Sequence, residues 1–267
     1  MNLQTTNIRP DSDLQKLFAD SQPVIPFLTA GFPSRRVFVD AAVAAFEAGA
    51  GALEIGMPFS DPLADGPAIQ YSSQAALADG IDLAAVLQLT ERVRRLIPVP
   101  IFLMGYLNPI VQMGFDKFVQ DARDAGAAGT IIPDCPMEEA KDWIRVSRRG
   151  GLANIFLIAP TTPSERIAVI DRQSTAFSYC VSVTGVTGAR RDFTNATRRY
   201  LRRVRQAAKK PFVVGFGISQ PAHIKALKGL ADGFVVGSAL VTLLKESPKS
   251  KAASQVGRMV RSLVAAA

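Results

Sequence analysis

Two carboxylates eleven residues apart, Glu54 and Asp65, are the residues of this chain best placed to do chemistry. Glu54 stands at the centre of the run Gly51–Met57, where Leu53, Ile55 and Met57 alternate with Ala52, Glu54 and Gly56. That alternation, followed by Pro58, Pro62 and Pro67, excludes a helix and predicts a strand running into a stiff loop. Glu54 then shares a buried face with small residues, where a carboxylate is rare unless it is paired or used. The stiff loop can return Asp65 toward the same place. One internal acid and one acid on a rigid loop point to general acid–base chemistry. Asp61, between Ser60 and Pro62, is expected to brace the loop instead of reacting.

A second group is built from glycines: Gly185-Val-Thr187-Gly188, Gly215-Phe216-Gly217 and Gly237-Ser238. Glycine lets backbone N–H groups approach an oxyanion, and a following helix start adds a favourable dipole. Ser238 opens a helix-forming run and is expected to cap it with its hydroxyl. Together the three clusters predict a phosphate site. No Gly-x-x-x-x-Gly-Lys-Ser/Thr loop is present, so the phosphate belongs to a small substrate and not to a nucleoside triphosphate.

Eight short apolar runs must position these groups: 24–30, 51–57, 100–106, 129–134, 154–160, 176–182, 211–217 and 233–238. Helix-period stripes lie between them, such as Leu83, Val86, Leu87, Thr90 and Ile97, or Phe115, Phe118, Val119 and Ala122. Strand–helix alternation repeated eight times predicts an α/β protein with a closed (β/α)8 barrel, since each parallel connection needs a crossover. An open doubly wound sheet is the competing layout. A short helix over 13–18 is expected to cap the bottom of the barrel, after a flexible N-terminus of about residues 1–12. No composition break divides residues 1–267, so one domain is expected. In such a barrel the active site lies where strands end, and there the acidic loop and the glycine clusters collect.

Of the 267 residues, 48% are hydrophobic and 20% charged, enough for a sizeable core. No apolar window is long enough for a membrane span, and the polar N-terminus has no signal-peptide core, so a cytoplasmic address is expected. Cys135 and Cys180 read as buried free thiols. His223 is the only histidine, which argues against a zinc site; it is expected at the surface or capping the helix after Pro221. Asp134 is expected to buttress the barrel mouth or touch a partner, and Trp143 to pack. The net charge of +8 gathers in Arg198, Arg199, Arg202, Arg203, Arg205, Lys209 and Lys210. Leu201, Val204 and Ala208 interleave there, so the segment reads as an amphipathic helix with a solvated basic face. Nucleic acid is not expected, because no stacking aromatics accompany the charge.

The motifs Pro26-Phe27-Leu-Thr-Ala-Gly-Phe-Pro33, Ala52-Leu-Glu54 through Asp65-Gly-Pro-Ala-Ile69-Gln70, Gly185-Val-Thr-Gly188 and Gly215-Phe-Gly-Ile-Ser219 resemble the tryptophan synthase alpha chain family. The resemblance runs from about residue 14 to the C-terminal helix. It implies cleavage of indole-3-glycerol phosphate to indole and glyceraldehyde 3-phosphate. The indole would pass to a pyridoxal-phosphate-dependent beta chain in an alpha2beta2 heterotetramer, with no cofactor or metal in this chain. By the same resemblance Glu54 stands at the general acid/base position and Asp65 at the carboxylate facing the indole nitrogen. Phe27, Ile69, Met104, Tyr106 and Phe216 stand around the indole. Tyr179 and Thr187 stand near the phosphate-side loop, and Gly188, Gly217, Gly237 and Ser238 at the phosphate. Asn108-Pro109 falls on the face toward the beta chain. Val183 and Met57 depart from the family's usual residues. The alternatives are a free-standing lyase, another phosphate-binding barrel such as a sugar-phosphate isomerase, and a non-catalytic regulatory subunit.

Overall fold

The computed structural model describes residues 14, 16–19, 21–181, 193–215 and 217–267. Nine strands form one parallel sheet: β1 (Val24–Thr29), β2 (Leu53–Gly56), β3 (Ile101–Met104), β4 (Gly129–Ile131), β5 (Ala153–Ile155), β6 (Leu157–Ile158), β7 (Ser178–Cys180), β8 (Phe212–Val214) and β9 (Gly233–Val236). Their spatial order is β5-β4-β3-β2-β1-β9-β8-β7-β6, with every hydrogen-bonded pair parallel. The ends of that order, β5 and β6, are separated only by Phe156. The fifth apolar run is thus one barrel strand in two halves, and the sheet is a (β/α)8 barrel.

The split has a local cause. The Phe156 N–H donates to Ser174 Oγ at 3.1 Å and the Asn154 N–H to Thr175 Oγ1 at 3.0 Å, so side chains replace ladder partners there. Beyond the break the strand pairs with β7, whose Tyr179 N–H donates to the Phe156 carbonyl. The strands are buried at nearly every residue, as a parallel sheet covered on both faces requires.

The connecting helices are amphipathic and lie outside the sheet. Ser34 and Asp82 accept backbone N–H bonds at the starts of the Arg35–Glu47 and Leu83–Arg94 helices. The Pro67–Ala78 helix begins on proline, whose fixed φ suits a first turn. At the bottom, where a short helix over 13–18 was expected, Leu14 is helical and Lys16–Phe18 forms a 3₁₀ turn; residues 13 and 15 lie outside the described residues. The plug is real: Phe18 meets Phe177 at 5.4 Å and Phe177 meets Phe102 edge-on at 5.2 Å. Cys135 and Cys180 are free and buried, and Trp143 packs between Phe115 and Phe118. Among the described residues no helix is long and apolar enough to cross a membrane.

Candidate active site

Register places Glu54 of β2 between Phe27 of β1 and Phe102 of β3. Its face of the strand points inward, where it is 1% exposed. One residue pair further along, Gly56 carries no side chain, and the Phe27 ring fills that space: a Cβ there would lie 2.4 Å from the ring. Across the barrel the same device recurs. A Cβ on Gly215 would lie 2.1 Å from the Tyr179 hydroxyl, so glycine is what lets this ring enter the mouth. Glu54 Oε1 is buried with no hydrogen-bond partner. Burial first, and the neighbouring charge of Asp65 second, push the Glu54 carboxyl up to about 8.

The loop after β2 is stiff because its backbone bonds to itself and to its neighbours. The Asp65 N–H donates to the Pro62 carbonyl at 3.0 Å and the Leu63 N–H to the Asp61 carbonyl at 2.9 Å. Gln70 Nε2 reaches back to the Asp65 carbonyl at 2.9 Å, and the Ala64 N–H donates to the Tyr106 hydroxyl at 2.9 Å. Asp65 is held half-buried at the cavity wall. Burial raises its carboxyl to about 6, opposed by a hydrogen bond with the Tyr106 side chain. The exposed Asp61 side chain takes a bond from Ser60, and Asp134 buttresses the rim by accepting the Leu107 N–H at 2.9 Å.

Both acids face one cavity of about 1060 Å³, together with Phe27, Ile69, Met104 and Tyr179. The far wall is made by Gly217, Ile218 and Ser219 after β8, and by Gly237, Ser238 and Ala239 after β9. The Ser238–Glu246 helix starts on that wall, and its first ladder bonds, from Leu240 and Val241, run to the Gly237 carbonyl. The N–H groups ahead of them have no partner in the ladder and are open to an anion. Ser238 makes no side-chain cap bond, contrary to expectation: Gly237 is the capping residue, and the serine faces the cavity.

Tyr106 is not part of the cavity wall. It stands behind the acidic loop, stacked on Phe59 at 5.0 Å, and bonds to that loop. Thr187, Gly188, Phe216 and Val183 lie outside the described residues. Walls that sequence reasoning did not single out come from Ile132, Cys135 and Met137 after β4, and from Phe156, Leu157, Thr162 and Arg166 around β6. Their strand-end placement was the available signal. Burial first, then the Asp134 and Glu139 charges, push the Cys135 thiol up to about 11, away from the thiolate form. His223 is buried and not at the surface, and takes the capping alternative, its Nδ1 accepting the Ser219 N–H ahead of the Pro221–Leu227 helix.

Near neutral pH this arrangement holds a protonated acid beside an ionised one, over an apolar floor and opposite an anion-accepting rim. It can protonate a carbon or oxygen centre, stabilise a cation that develops beside it, and retain a phosphate.

The family model described as tryptophan synthase alpha chain matches residues 15–265. A tryptophan synthase alpha chain from Roseiflexus sp. (strain RS-1) is 44% identical over 241 residues, covering 90% of this chain and 92% of the relative. A structure of Mycobacterium tuberculosis tryptophan synthase superposes with a TM-score of 0.88 at 33% identity, covering 96% of this chain and 98% of that one. A Pyrococcus furiosus tryptophan synthase complex gives a TM-score of 0.84 at 37% identity, covering 91% and 98%.

Proposed function

Because this chain belongs to the tryptophan synthase alpha chain family, we propose that Glu54 and Asp65 are the pair that performs the family's reaction in it. The chain is the lyase subunit, which cleaves indole-3-glycerol phosphate to indole and D-glyceraldehyde 3-phosphate. The observation that carries the residue assignment is a buried carboxyl with an unpartnered oxygen in a cavity it shares with a second acid.

The cleavage needs a proton delivered to indole C3, which puts positive charge on the ring nitrogen, and a proton removed from the adjacent side-chain hydroxyl. The C–C bond then breaks, its electron pair returns to the ring, and the hydroxyl carbon leaves as an aldehyde. Glu54, held neutral up to about pH 8, has the first proton to give. Once ionised, in a dry site beside another negative charge, it is a strong base for the second proton. Asp65, ionised above about pH 6, stabilises the cation. Phe27, Ile69 and Met104 hold the indole, joined by Phe216, with Tyr179 and Thr187 toward the phosphate side; Gly217, Gly237 and Ser238 hold the phosphate, joined by Gly188. Tyr106 acts on the acidic loop.

The family's partner is a beta chain. Its docking face here is the rim: Leu63 is 93% exposed and Val111 50% exposed, and Asn108 beside them is also exposed. An exposed leucine on the cavity wall, Leu63, suits a product-receiving partner. The assembly is an alpha2beta2 heterotetramer in the cytoplasm. This half of the reaction requires no cofactor, pyridoxal phosphate being bound by the beta chain. The test is indole release from indole-3-glycerol phosphate by the purified chain, alone and with a beta chain. Release that rises on adding the partner is expected; folded protein that releases none in either mixture contradicts the proposal.

A further inference from the structure

We infer that His223 is a positioning residue for the turn Gly217–Ser219; this rests on the phosphate assignment made above. His223 is the only histidine of the chain, lies in the Pro221–Leu227 helix and is 4% exposed. It does not line the cavity, so it acts through the turn and not on substrate.

Its ring is held at three points. Nδ1 lies 3.2 Å from the Ser219 backbone nitrogen, Nε2 lies 3.0 Å from the Gln220 side-chain nitrogen, and Phe193 meets the ring edge-on at 5.5 Å. A backbone N–H can only donate, so Nδ1 carries no proton and the ring proton sits on Nε2. Two donors cannot face each other, so the Gln220 amide is assigned turned over, its oxygen accepting from that N–H. The tautomer follows from the bond to Ser219.

The turn needs such support. Gly217 has φ of +68°, and glycine is the residue freest to leave that conformation. A Cβ on Gly217 would stand 3.6 Å from the Phe193 ring, which is the ring His223 packs against. The turn is therefore held at Ser219 by the imidazole, which the Phe193 ring backs. Ser219 faces the cavity, as do Gly217 and Ile218 of the same turn. Ser219 spends its own N–H on the ring, so it anchors the turn while other groups remain for the anion.

The test uses the full chain, indole-3-glycerol phosphate as substrate, and glycerol 3-phosphate as a competitive inhibitor that lacks the indole. His223→Asn places an amide oxygen near the position of Nδ1, and His223→Gln places one near Nε2; thermal unfolding checks that both fold. We expect His223→Gln to raise the inhibition constant and KM together by about fivefold, with kcat changed by less than about twofold, the effect of one lost neutral hydrogen bond. His223→Asn should stay within about twofold of the parent, because it restores the acceptor. Equal inhibition constants in all three proteins would overturn the positioning role and leave the phosphate assignment standing. Equal weakening in both variants would reduce His223 to packing. Failure of glycerol 3-phosphate to compete in the parent chain would overturn the phosphate assignment, and this inference with it.

Discussion

Replacing Glu54 by glutamine should make the protein more stable and inactive at once. A carboxyl raised from 4.5 to about 8 on folding binds its proton more tightly in the native state than in the unfolded one. The native state therefore loses stability as pH rises from about 4.5 toward 8. At 1.36 kcal/mol per pKa unit the loss is about 3 kcal/mol at pH 7 and about 5 kcal/mol at pH 9. Glutamine has nothing to titrate, so Glu54→Gln escapes that loss. Below pH 4 both chains carry a neutral side chain at this position, and their stabilities should nearly coincide. Urea unfolding of the two proteins at pH 4, 7 and 9 measures the difference directly. It should open from near zero to several kcal/mol in favour of the variant, while indole release at pH 7 falls by about 10²–10⁴-fold. A difference that stays flat with pH would refute the reasoning, since the penalty would then not come from ionising a buried acid.

The parent chain should show a bell-shaped kcat/KM against pH, falling below about 6 as Asp65 takes up a proton and above about 8 as Glu54 loses its own. Asp65→Asn should lower kcat by about 10²–10³-fold and move the alkaline limb to lower pH, because the Asp65 charge helps hold Glu54 neutral; rate profiles read both effects. Tyr106→Phe removes the bond that lowers the Asp65 carboxyl, so its acidic limb should move to higher pH and its activity at pH 6 should fall more than at pH 7.5. Gly215→Ala drives a methyl group into Tyr179 and should cost about 1–3 kcal/mol in urea unfolding while raising KM for the substrate.

The placement of Glu54 and Asp65 on one cavity was legible because its signals are local. Period-two alternation puts Glu54 on one face whatever surrounds it, and prolines stiffen the Asp65 loop wherever it lies. The eight-fold alternation gave the barrel for the same reason. The split of the fifth run at Phe156 was not legible, because it depends on Ser174 and Thr175, from a distant turn, bonding to the strand. Ser238 looked like a cap because serine before an apolar helix often is one; here Gly237 takes that place and frees the hydroxyl toward the cavity. Tyr106 sits on a strand end like a wall residue, yet the loop folds over it, and no pattern within its own segment announces that. His223 was expected at the surface or capping its helix; it does the second, accepting the Ser219 N–H ahead of that helix, while Phe193 packs on the ring and the residue is buried. Arg166 and Met137 reach the cavity only through packing between the segments after β4 and β6.

The most direct test of the central claim is single-turnover release of indole from indole-3-glycerol phosphate by the parent chain, Glu54→Gln and Asp65→Asn, with glycerol 3-phosphate binding measured alongside. The parent chain should release indole and glyceraldehyde 3-phosphate in equal amounts. Each variant should be at least about 100-fold slower, with glycerol 3-phosphate binding unchanged. Near-normal release by either variant would contradict the role assigned to that carboxylate.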